Sequence, residues 1–253
     1  MGLNKEAIKI GFAYVGIVVG AGFSTGQEVK QFFSDFGLWS YIGVIISGVI
    51  LSFIGRQCAK IGVAFDAQNH ESTLSYVFGK KFSKIFDYIL VFFLFGIAVT
   101  MIAGAGSTLH QSYGVPIWLG SLAMTIVIYL SLIMDFNKIV RVLGLVTPFL
   151  IVMVVIIAAV YLFKGDIPLN QVNNNVPSPS IWKGIGMGTL YGGLAFAVGF
   201  STIVVIGGDA SKRGVAGRGA LLGGIIYTVL LALINFALQS EYPHVSEASI
   251  PTI

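Results

Sequence analysis

Seven stretches of this chain carry no Asp, Glu, Lys, Arg or His for at least 18 residues: 10–27, 37–55, 88–109, 111–134, 142–163, 184–208 and 219–240. A helix needs about 20 apolar residues to cross the hydrocarbon core of a bilayer. Backbone groups in lipid must be hydrogen-bonded internally, so only helices and closed barrels can span it. Barrel strands are about 10 residues long and alternate in polarity; these runs do neither. Only 10% of the residues are charged and 56% are hydrophobic, against about 25% charged in an ordinary soluble domain. The chain therefore reads as an all-α polytopic membrane protein with seven spans.

The distribution of basic residues gives an orientation. With a cytoplasmic N-terminus, the inner segments hold Lys5, Lys9, Arg56, Lys60, Lys80, Lys81, Lys84, Lys138, Arg141, Lys212, Arg213 and Arg218, and the outer ones hold Lys30, Lys164 and Lys183. That asymmetry follows the positive-inside rule. It accounts for the net charge of +4 without a nucleic-acid partner. The bilayer is the partner it implies, in the cell membrane; oligomeric state is left open. The one cysteine, Cys58, reads as a buried thiol near the inner end of the second span.

The spans are uneven. The first, about 7–36, is interrupted at GAGFSTG (20–26). Pro148 predicts a kink in the fifth. The loop 164–181, rich in Asn, Pro and Ser, reads as a boundary. The tetrapeptide GFST occurs at 22–25 and again at 199–202, and the same offset of 177 carries the second span almost onto the seventh. Five spans before the loop then predict a five-plus-five repeat, inverted across the membrane as in many secondary transporters. The expected units are 1–163, the outer loop 164–181, and 182–253 as the start of a second repeat. On that arithmetic the chain holds seven of about ten core helices.

An interruption at membrane depth leaves backbone groups for protein, water or ligand to satisfy. The half-helix after it suits an anion, and the carbonyls before it suit Na⁺. Gly20, Gly22 and Gly26 permit unusual backbone angles and close approach; Ser24 and Thr25 add hydroxyls. The competing reading is small-residue helix packing. A second glycine-rich span, GGLAFAVGF (192–200), favours a binding site and predicts non-helical backbone at both 20–23 and 196–200.

IVVGAGFSTGQEVKQFF (17–33) is similar to the first helix of the YkvI family of bacterial membrane proteins, a branch of the amino acid–polyamine–cation superfamily. The likeness extends to AGAGSTL in the third span and the start of the sixth. It implies the LeuT-type fold, with helices 1 and 6 broken mid-membrane. The family's G-x-x-x-G-x-G then falls on Gly16, Gly20 and Gly22. By the same resemblance, backbone carbonyls of Gly16 and Val19 would hold a coupling Na⁺. The substrate would meet Gly20, Ala21, Gly22, Phe23 and Ser24, facing Phe196, Ala197, Val198, Gly199 and Phe200. The implied function is secondary transport of an amino acid or related solute, coupled to Na⁺ or H⁺, with no resident cofactor.

Glu28 follows the interruption. It reads either as a cavity residue that binds an ammonium group or carries a proton, or as an outer-interface residue near Lys30. Asp87 is expected to pair with Lys84 at the inner interface. His110 is expected to be hydrogen-bonded at the outer one, and His70 and His244 lie in loops. No His, Cys or carboxylate pair has catalytic-metal spacing. The G-x-G at 20–22 follows no strand, which excludes a dinucleotide site. A passive pore would want a filter segment or rings of like residues. A seven-helix receptor would have its N-terminus outside. A membrane enzyme would want a nucleophile–base or metal constellation, and none is visible in the sequence.

Overall fold

The computed structural model describes residues 4–19, 23, 26–164 and 171–242. Its elements are α1 (Lys5–Val18), α2 (Gln27–Phe32), a 3₁₀ turn (Ser34–Trp39), α3 (Ser40–Phe65), α4 (Glu71–Tyr113), α5 (Ile117–Ser131), α6 (Phe136–Lys164), α7 (Val172–Asn175), α8 (Ile181–Gly208) and α9 (Arg213–Ser240). Among the described residues, five helices are long and apolar enough to cross a membrane. The other two expected spans are the interrupted first and the 15-residue α5, which at 1.5 Å per residue is about 22 Å long. The all-α polytopic class therefore stands. α4 is divided at Gly79, whose φ of 74° sets a short segment off from the long helix after it. α6 continues as one helix through Pro148.

α1, α3, α8 and α9 form the buried core. Lipid tails are as apolar as leucine, so helices inside a bilayer associate through close packing of small residues. Both long seams of this core are built that way. On α8, Gly184, Gly188 and Gly192 recur every fourth residue and face Trp39, Gly43 and Ser47 of the neighbouring turn and α3. Ser47 Oγ lies 2.6 Å from Gly188 O and 2.9 Å from Gly43 O, so one hydroxyl bridges the two backbones. On the second seam, Cβ atoms on Gly219 and Gly223 would come within 2.8 Å of the Ala7 and Gly11 carbonyls of α1. α6 leans on α1 and α9, whereas α4 and α5 pair chiefly with each other and turn Tyr88, Phe92, Phe95 and Trp118 outward.

This packing corrects one expectation. α8 is a continuous helix from Ile181 to Gly208, so there is no interruption at Phe196–Phe200. The glycines that suggested one are spent on helix contacts: a Cβ on Gly199 would meet Tyr14 Cε2 at 2.7 Å and Val18 Cγ2 at 2.9 Å. The paired-interruption argument for an inverted repeat falls with it.

The 177-residue offset also relates positions outside GFST. It carries Gly11 onto Gly188 and Tyr14 onto Tyr191. Gly11 and Gly188 both sit at glycine-to-backbone crossings, and both tyrosines are fully buried. The pairing of α1 with α9 is thus matched by that of α8 with α3.

The two ends of the bundle are tied separately. At one, Glu6 accepts hydrogen bonds from Ser211 N (2.7 Å) and Ser211 Oγ (2.6 Å), which hold its carboxyl below the usual carboxylate range. At the other, Tyr242 donates to Asp35 Oδ1 at 2.6 Å, and Leu38 N donates to Asn173 Oδ1 at 2.9 Å. Gly37, at φ 63°, leaves room for Asn173 and turns its carbonyl to Gln239 Nε2, 2.8 Å away. Segments assigned by charge to the same membrane face therefore meet at the same end.

Candidate functional site

α1 stops inside the bundle. It ends at Val18, and Val19 is extended at φ −79°, ψ 95°. Val18 and Val19 are both 7% exposed. Phe23 is itself helical, contrary to the expectation of non-helical backbone through 20–23, and a further helix begins at Gln27, after Gly26 in the left-handed region at φ 74°. That angle suits glycine, and Gly26 O receives the first helical bond, from Lys30 N at 2.8 Å. Between these ends Phe23 is buried, with its ring 5.9 Å from that of Tyr227. Gly20, Ala21, Gly22, Ser24 and Thr25 lie outside the described residues.

Two buried tyrosines border this region. Tyr191, on α8, is clasped by Phe32 and Phe33 with both ring centroids 5.1 Å away, and it donates to Glu28 Oε2 at 3.2 Å. Glu28 is thus half-buried and faces α8. Tyr227, on α9, is 1% exposed, and its hydroxyl faces that of Tyr191. Sequence reasoning missed both tyrosines; Tyr191 was marked by its 177-residue offset from Tyr14.

The other expected site residues are placed as follows. Gly16 lies in α1 at the crossing with α6, where a Cβ would meet the Thr147 hydroxyl and come within 3.2 Å of Leu143 O. Thr147 Oγ1 is 2.9 Å from Phe12 O, which ties the two helices. Gly199 faces Val18, the last residue of α1, so α8 does cross the end of that helix. Phe196 and Ala197 line a cleft towards α4, with Phe200 beside them; Val198 is half-buried. Among the described residues, no group of three His, Cys, Asp or Glu side chains could hold a metal ion.

A further constellation was not legible in the sequence. His70 Nε2 lies 2.7 Å from Asp87 Oδ1, and His70 Nδ1 contacts Ser201 Oγ. Asp87 therefore pairs with His70, not with Lys84 as expected. An ionised carboxylate only accepts, so neutral His70 carries its proton on Nε2 and receives the Ser201 hydroxyl at Nδ1. His110 is bound as expected, with Nδ1 3.0 Å from Val115 O.

The sequence is similar along almost its whole length to the uncharacterized membrane protein YkvI of Bacillus subtilis (strain 168). The two are 29% identical over 252 residues, covering 97% of this chain and 70% of that one. A second relative from the same organism, the uncharacterized protein YyaD, is 29% identical over 149 residues, covering 59% of this chain and 43% of its own. No family model and no solved structure matches the chain. The protein is a multi-pass membrane protein whose sequence is similar to that of YkvI.

Proposed function

We propose that the protein is a secondary transporter in the cell membrane that moves a small polar solute, an amino acid or a related compound, by alternating access, with Na⁺ or H⁺ as the coupling ion. The observation that carries this reading is the stop of α1 at Val18 inside the core, with Phe23 beyond it buried against Tyr227. Backbone leaves the helical state at membrane depth where it is buried in protein or lines a water-filled cavity, and Glu28 stands at the start of the helix that follows. An inverted five-plus-five architecture is supported by the matched pairs Gly11/Gly188 and Tyr14/Tyr191 and by the resemblance. It requires no interruption in α8. The site is a binding site and not a catalytic one in this reading.

Proteoliposomes test it directly. Uptake of labelled amino acids is expected to exceed that of empty vesicles and to rise with an imposed Na⁺ or H⁺ gradient. Glu28→Gln separates the two roles of that carboxylate: binding retained with uptake lost assigns it a proton or cation. Uptake that equilibrates every small solute, insensitive to either gradient, would instead support a passive pore.

The proposed orientation places the N-terminus in the cytoplasm. A cysteine at Asn174 is expected to react with an impermeant thiol reagent added outside intact cells, and one at Lys80 to be protected. The reverse pattern would invert the topology and the side from which the site opens.

A further inference from the structure

We propose that His70, Asp87 and Ser201 form a proton-binding site that fastens α4 to α8. The three residues come from different elements: His70 from the turn between α3 and α4, Asp87 from α4 and Ser201 from α8. Both ring nitrogens are engaged, and the ring packs on Phe200 at 5.9 Å. An apolar cleft of about 620 Å³ lies between the two helices, lined by Leu74, Phe86 and Phe93 from α4 and by Phe196, Ala197 and Phe200 from α8, the last of which packs on the His70 ring. α4 is otherwise held lightly to the core, so this polar junction carries much of its attachment.

The neighbouring charges leave the site to the imidazole. From α4 the group facing the ring is the Asp87 carboxylate. None of Lys80, Lys81 or Lys84 lies within 4.0 Å of a described carboxylate. From α8 it is the Ser201 hydroxyl, and between Lys183 and Asp209 that helix has Tyr191 as its one ionisable side chain, committed to Glu28. Asp66 and Glu71 border the turn, and neither pairs with His70.

Histidine changes charge between about pH 5 and 8 in its ordinary state. When neutral, His70 accepts from Ser201 and donates to Asp87. When protonated it donates from both nitrogens, the Ser201 hydroxyl turns its own proton away, and the Asp87 contact, already a bond to an ionised acceptor, becomes an ion pair with both partners charged. Acid therefore tightens the junction and alkali loosens it. An acyl-transfer role is disfavoured, because Ser201 lies within α8, where the backbone N–H groups are used by the helix and no pair of them is free to hold an oxyanion.

The test uses ring-¹⁵N-histidine protein in nanodiscs, with His110 and His244 replaced by Gln. At alkaline pH, His70 is expected as a single Nε2–H tautomer, and at acid pH as the doubly protonated ring. Asp87→Asn is expected to release the tautomer preference. In parallel, spin labels at Phe86→Cys and Ala197→Cys report the α4–α8 distance. The separated population is expected to rise about fivefold from about pH 5.5 to 8. In His70→Gln, whose amide reproduces the neutral pattern of one donor and one acceptor, it is expected not to change with pH. A ring showing mixed tautomers that titrates identically in Asp87→Asn and Ser201→Ala, or a distance that ignores pH in the parent, would overturn the proposal.

Discussion

Gly188→Val is expected to lower the thermal unfolding midpoint in detergent by roughly 5–10 °C, while Gly186→Val leaves it within about 1 °C. The two glycines sit half a turn apart on α8. A Cβ on Gly188 would come within 2.5 Å of Gly43 O and closer still to Gly43 Cα, whereas a Cβ on Gly186 meets nothing within 4 Å. The obstructing atoms on Gly43 are backbone, so no side chain can rotate away and the helices must separate. Separation also breaks the Ser47 bridge to Gly188 O, which is worth about 0.5–1.5 kcal/mol. Overpacking of this kind costs about 1–3 kcal/mol before that loss is added. Equal midpoints for the two variants would contradict the glycine seam as the basis of α3–α8 association.

That seam also explains which parts of the molecule were legible in the sequence. Runs without charge disclosed the helices, because lipid tolerates neither charges nor unpaired backbone. The end of α1 was legible in GAGFSTG. The error on α8 came from reading GGLAFAVGF by composition. Gly184, Gly188 and Gly192 are four residues apart and share one helix face, as a packing seam requires. Gly20 and Gly22 are two apart and cannot share a face of a regular helix. Spacing, more than glycine content, separates the two cases. Tyr227 and the His70–Asp87–Ser201 junction were not legible, because their meaning lies in contacts between elements distant in sequence. Ser201 is 131 residues from His70, and no local pattern announces the pair.

Gly22→Val is expected to abolish substrate binding and uptake while leaving membrane insertion intact. Valine is at least as favourable as glycine in a membrane span, so the variant should insert and accumulate like the parent. The described residues on either side of it in sequence, Val19 and Phe23, are both buried, at 7% and 1% exposed. In the transporter reading, a Cβ between them narrows the backbone angles available and occupies space a ligand needs. Gly188→Val, by contrast, should reduce uptake only in proportion to the folded protein that remains.

The central claim is that the interrupted first span is a binding site and not a packing contact. The measurement that tests it most directly is equilibrium binding of a transported amino acid to equal amounts of folded parent and Gly22→Val protein in proteoliposomes. The account predicts saturable binding by the parent and none by Gly22→Val at matched protein. Saturable binding of equal affinity in both would contradict it and make GAGFSTG a packing element.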